Sequence, residues 1–308
     1  MSDFINSGWS WYVIAIVVGG LAFCMFVLMV ASKHRPMASD NTTGHLWDED
    51  LRELNNPLPR WWLWLFIITV IFAAIYLALY PGLGSSKGAF GWTSRGQYES
   101  EQEKARAAMA PVYAKYVGMT AEQLAQDPAA MGIGERLFVN TCAGCHGSDA
   151  RGSKGFPNLT DDDWLYGGTH DKIKETITGG RQGMMPPMAA AIGGGENVRN
   201  VANYVLSLSG SPHNAVYAQL GKEKFTAVCA ACHGADGKGN QAMGAPNLSD
   251  KIWLHGWGEQ AIMNMINNGK TNIMPAHASR LNPEQIHVLG AYVWSLSHKG
   301  GAATTAQK

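Results

Sequence analysis

A pentapeptide of the form Cys-x-x-Cys-His occurs twice in the sequence, from Cys142 to His146 and from Cys229 to His233. That spacing holds an iron porphyrin covalently. Two thiols one helical turn apart reach the two vinyl groups as thioethers, and the next residue offers an imidazole to the metal. A zinc site built from all four thiolates would space its pairs by roughly 15–20 residues, whereas 83 residues separate Cys145 from Cys229. A thioredoxin-like redox pair would need a βαβ pattern, which is missing, and would leave both histidines unexplained. The sequence therefore predicts two covalently bound heme c groups, one on Cys142, Cys145 and His146, the other on Cys229, Cys232 and His233.

Both pentapeptides sit inside a longer repeat. GERLF at 134–138 answers GKEKF at 221–225 at an offset of 87; PNL at 157–159 answers PNL at 246–248, Trp164-Leu165 answers Trp253-Leu254, and Met185-Pro186 answers Met274-Pro275, all at 89. The copies close with YVLSLS from Tyr204 and YVWSLS from Tyr292. The closing segments read as helices with one apolar stripe each: Val198, Val201, Ala202, Val205 and Leu208 in the first, Ile286, Leu289, Gly290, Val293 and Leu296 in the second. The second opens on Asn282, Pro283 and Gln285, an N-cap, a first-turn proline and a capping-box partner; the first starts after Gly193 to Gly195. Gly134 with Phe138 and Gly221 with Phe225 place a small and a large residue on one helix face, which predicts a close helix crossing in each copy.

An iron used for fast electron exchange wants a thioether opposite the imidazole, which raises the potential and leaves no open coordination position. Met185 and Met274 are the candidates, each preceding a proline in what reads as a short loop, 39 residues after His146 and 41 after His233. The repeat alignment selects Met185 over the neighbouring Met184 and Met188. Met263 and Met265 fall in a predicted helix, where they read as core filling. His170, His255, His277 and His287 have no histidine at the equivalent repeat position, and Trp164, Trp253, Tyr204 and Tyr292 read as packing against a flat porphyrin.

Two uncharged runs precede the repeats, Trp9–Ala31 and Trp61–Tyr80, each long enough to cross the hydrocarbon core of a bilayer. The tail before the first has no Lys or Arg and the run is too long for a secretory signal, so it is expected to remain as an anchor. Lys33, Arg35, Arg52 and Arg60 lie between the runs, which puts that loop on the cytoplasmic side and everything after the second span outside. Cys24, within the first run, carries no assigned chemistry. The expected organisation is 1–60 for the first transmembrane helix and the cytoplasmic loop, 61–81 for the second transmembrane helix, 82–131 for a periplasmic linker with a helix near Tyr98–Val117, 132–210 and 211–300 for the two heme repeats, and 301–308 for a flexible tail. Thr120 and Gln123 have capping-box spacing for a second linker helix. The 24 basic and 24 acidic side chains leave no electrostatic footprint for nucleic acid, and no carboxylate pair, Ser/His set or phosphate loop suggests catalysis.

The repeats resemble tandem class I cytochrome c domains, and HLWDEDLRELNNPLPRWWLW, from His45 to Trp64, resembles the stretch before the second span in the diheme subunit of cbb3-type cytochrome c oxidases. The likeness covers essentially the whole chain. It implies an all-α fold with two N-terminal transmembrane helices, set in the bacterial inner membrane with the heme domains in the periplasm. It implies electron flow from a donor cytochrome c, through the two hemes, toward the monoheme cytochrome c subunit and the heme-copper catalytic subunit that reduces dioxygen. The same likeness carries the iron ligands onto His146, His233, Met185 and Met274. In a tightly packed pseudo-symmetric pair each methionine could serve its own repeat's iron or reach across to the other, and the spacing leaves both arrangements open. The repeats alone would also suit a freestanding membrane-anchored carrier for another reductase or dehydrogenase, a diheme peroxidase with one open iron, or a gas sensor.

Overall fold

A computed structural model of the chain describes residues 6–32, 41–56 and 58–298. Lys33, Arg35 and the 301–308 tail lie outside the described residues. The chain forms two compact units, 1–108 and 109–308.

In the first unit, α1 (Ser7–Ser32) and α2 (Arg60–Leu79) hold 26 and 20 residues, about 39 and 30 Å at 1.5 Å per residue, enough to cross ~30 Å of hydrocarbon. Nearly all of their side chains face outward, which water would penalise and a bilayer would not. Ser10, in the opening turns of α1, accepts a hydrogen bond at Oγ from the backbone N–H of Ser85, just past α2, at 2.9 Å. The start of one span therefore lies beside the end of the other, as an antiparallel pair requires. Between them lies an antiparallel ribbon that hydrophobic patterning did not anticipate, β1 (Thr42–Trp47) with β2 (Leu51–Leu54).

A helix, α3 (Ser94–Ala114), leads into the second unit and begins four residues earlier than the sequence pattern suggested. Next come α4 (Ala121–Gln126), capped reciprocally by Thr120 and Gln123 as expected, and α5 (Pro128–Thr141), capped by Asp127. In the first cysteine pair Cys142 caps α6 (Ala143–His146) and Cys145 lies within it, and α7 (His170–Gly179) follows. Strand β3 (Arg181–Met185) leads to α8 (Glu196–Leu208). The second copy repeats the order: α9 (Ala215–Lys224), a π-helical turn at Phe225–Cys229, α10 (Ala230–His233), α11 (Glu259–Asn268), β4 (Lys270–Met274) and α12 (Pro283–Ser297). The unit is mainly helical, and β3 and β4 pair with each other to make a short antiparallel ribbon. Met185 and Met274 thus end strands, where the sequence suggested loops.

The cores are built from both sequence repeats. One gathers Phe138, Ile173 and Ile177 from the first repeat with Leu281, Ile286, Leu289 and Val293 from the end of the second. The other gathers Val198, Val201, Ala202, Val205 and Leu206 from the end of the first repeat with Phe225, Ile262 and Ile266 from the second. Each closing helix packs on the other copy's entry helix, and the two glycine crossings show the fit. A Cβ on Gly134 would stand 2.5 Å from the Cβ of Tyr292, and one on Gly221 would strike the backbone carbonyl of Asn200. The close crossings expected from the sequence are present, made between copies. A third cluster sets Tyr113, Tyr116 and Leu124 of the linker against Val288 and Ala291, so the linker covers the outer side of α12.

Candidate heme centres

The cysteine pairs lie in different cores, Cys142 beside Phe138 and Leu289, Cys229 beside Phe225 and Val205. A shared four-thiolate zinc site is therefore ruled out by geometry, and no cluster of three or more potential metal ligands occurs among the described residues. Burial first, then the neighbouring Cys145, pushes the Cys142 thiol up to about 11. Burial and Cys232 push Cys229 the same way. Thiols held neutral by burial are poor thiolate metal ligands.

His146 and His233 are both buried, and each is fixed by the peptide backbone. The Nδ1–H of His146 donates to the carbonyl of Pro157 at 2.9 Å, and that of His233 to the carbonyl of Pro246 at 3.1 Å. A carbonyl can only accept, so the proton sits on Nδ1 and Nε2 is left with its lone pair free for iron, the outer-shell arrangement that orients a ligating imidazole. Burial lowers the His233 pKa, the Pro246 contact opposing it, which keeps that ring neutral. These prolines belong to the repeated PNL triplet, which recurs at nearly the cysteine offset; its role became visible only in the fold.

Met274 packs into the core that holds Cys142, with Leu159 and Trp164. Met185 packs into the core that holds Cys229, with Leu248 and Trp253. Met184, next in sequence, points away and is 71% exposed, so it is poorly placed to ligate. The indole N–H groups of Trp164 and Trp253 and the Tyr166 hydroxyl are buried without a hydrogen-bond partner. Buried donors left unpaired are costly, and anionic propionates at the rim of a porphyrin would satisfy them. Paired cysteines beside oriented imidazoles, apolar walls and unpaired donors together fit heme.

Three of the four unrepeated histidines hold the scaffold through their rings, while the Nδ1 of His277 is buried without a partner. His170 donates from Nε2 to the carbonyl of His287, which donates from its own Nε2 to the carbonyl of Met119, each at 3.0 Å, tying α7, α12 and the linker together. His255 Nε2 accepts from Asn272 Nδ2 at 2.9 Å beside the ribbon. At the equivalent place in the other copy stands Tyr166, whose hydroxyl lies 3.1 Å from where a Cβ on Gly183 would be.

A family model described as the N-terminal domain of cytochrome oxidase-cbb3, FixP, matches residues 39–87. One described as cytochrome c oxidase, cbb3-type, subunit III, matches twice, at 129–205 and 217–293. The cbb3-type cytochrome c oxidase subunit CcoP of Rubrivivax gelatinosus is 72% identical over 98% of this chain and 99% of its own length. The subunits FixP of Azorhizobium caulinodans and Bradyrhizobium diazoefficiens are 42% and 41% identical, each over 86% of this chain and 97% of their own.

Proposed function

Because the chain belongs to the subunit III family of cbb3-type cytochrome c oxidases, a family of membrane-anchored electron-transfer subunits with c-type heme domains, we propose that it carries two hemes and relays electrons from a donor cytochrome c toward the monoheme and heme-copper subunits. Bound heme supplies a one-electron iron couple. Cys142 and Cys145 attach one group and Cys229 and Cys232 the other. The observation that carries the ligand assignment is the exchanged packing of the closing segments. His146 and Met274 would hold one heme and His233 and Met185 the other, so each pair of holding residues would join the two repeats. An imidazole and a thioether would hold each heme behind apolar side chains that limit water, which would favour electron exchange over bond-making chemistry. Positive residues between the spans support a periplasmic position for the heme repeats.

Gentle solubilisation of native membranes tests the reading. The expected product co-purifies with b-type hemes and copper and shows two six-coordinate low-spin c-type hemes without peroxide turnover. Recovery free of b-type heme and copper would point to a freestanding carrier, and an open high-spin iron to a peroxidase.

A further inference from the structure

The β1–β2 ribbon between the spans has no core of its own. Trp47 lies across from Leu51, and Leu46 across from Arg52 with Leu54 on the same face. Leu46, Trp47, Leu51 and Leu54 are 54%, 60%, 63% and 59% exposed, so both faces show large apolar groups. An isolated two-stranded ribbon is marginal in water, and exposed apolar clusters on both sides call for a cover. Asp48 and Glu49 both take left-handed backbone angles, φ 55° and 72°, as a tight turn between paired strands requires, so both acidic residues sit at the turn. Asp48, Glu49, Asp50 and Glu53 set four carboxylates against the single guanidinium of Arg52.

Resting on the topology given under Proposed function, we propose that this ribbon is a docking element for the basic cytoplasmic loops of a neighbouring multi-span subunit of the same oxidase. Three arguments select that occupant. Only residues 55–59 separate the ribbon from α2, so at roughly 3.4 Å per residue it stays within about 17 Å of the end of the span, level with a neighbour's loops. Cytoplasmic loops of multi-span proteins are enriched in Lys and Arg, which complements an acidic tip. The anionic inner leaflet attracts basic segments and repels this one, which argues against lipid as the cover. The family match at 39–87 takes in the ribbon and the second span together, consistent with both contacting one partner.

Carbodiimide cross-linking of native membranes containing the intact complex, followed by peptide mapping, tests this. The expected product joins Asp48, Glu49, Asp50 or Glu53 to a lysine between two spans of a co-purifying subunit. The joint Asp48→Asn, Glu49→Gln, Asp50→Asn variant should lose links from the tip while links elsewhere in the chain persist, which also reports that the variant has assembled. A Trp47→Ser, Leu51→Ser variant should loosen the chain's retention in the complex under a salt wash. Intact assembly with no link from these four carboxylates overturns the proposal. So does brominated-lipid quenching in the complex that a Trp47→Phe variant loses, without any such link, which makes lipid the cover. Two controls separate this failure from failure of the functional reading: co-purification of b-type heme and copper, and labelling of a Glu49→Cys variant by an impermeant maleimide only after cell lysis.

Discussion

Removing one heme at a time separates crossed from uncrossed ligation. In a chain carrying Cys229→Ala and Cys232→Ala, the remaining heme sits on Cys142, Cys145 and His146. Under the proposed exchanged pairing Met274 is its sulfur ligand, and the ribbon register argues against Met185 as a substitute. Met274 pairs with Arg181, four residues from Met185 along β3. At about 3.3 Å per residue the two methionines are roughly 13 Å apart along the ribbon, several times an iron–sulfur bond. In that background Met274→Leu should abolish the far-red sulfur-to-iron absorption band, lower the midpoint potential and turn the iron high-spin or recruit another ligand. Met185→Leu should leave the spectrum and the potential unchanged. The reciprocal pattern is expected when Cys142 and Cys145 are replaced instead. Met→Leu nearly conserves volume and costs less than ~1.5 kcal/mol in a core, so a loss of ligation would not simply report unfolding. Optical and paramagnetic resonance spectra with a redox titration read the result. Should Met185→Leu disturb the iron on His146 while Met274→Leu leaves it alone, the exchanged pairing is refuted.

Gly221→Ala puts a methyl group against the Asn200 carbonyl and 2.8 Å from the Val201 nitrogen, so overpacking of about 1–3 kcal/mol should lower the Tm by about 2–12 °C. Gly118→Ala, with nothing within 4 Å, serves as the control; equal shifts in a thermal scan would contradict the crossing. Burial, then Asp250 and Asp161, raises the Asp163 carboxyl to about 6, above the ~3.9 of an unfolded chain. A raised folded-state value means the folded form holds the proton more tightly, so this contribution to stability is full below about pH 4 and is lost as pH rises through 6. Asp163→Asn should therefore raise stability at pH 7 and flatten its dependence between pH 4 and 7, as denaturant titrations at several pH values would show.

Much of this protein is legible from local chemistry. The Cys-x-x-Cys-His spacing, the two uncharged runs and the caps at Thr120 and Asn282 each depend on residues a few positions apart, and both capping boxes are present. The β1–β2 ribbon escaped notice because its apolar residues are exposed on both faces and so leave no alternating pattern. The backbone acceptors of the histidines escaped notice because a carbonyl carries no side-chain signature. Whether each methionine faces its own repeat's cysteine pair or the other's was left open by the sequence as two options, and the exchange of closing helices was not legible in it.

Periodicity determined which stripe of each closing helix is apolar, and Gly134 and Gly221 determined where another helix can approach closely. It could not choose the partner, because Tyr204 and Tyr292, like Phe138 and Phe225, are nearly equivalent docking surfaces. The tertiary structure made that choice through chain reach and shape. Six residues, 209–214, join α8 to α9, a connection short enough to make the two helices neighbours. Where the two halves meet at the ribbon, a large Tyr166 faces Gly183 while a smaller His255 faces Asn272. Volume matched across that junction is a property of residues brought together by folding, and no single segment of the chain contains it.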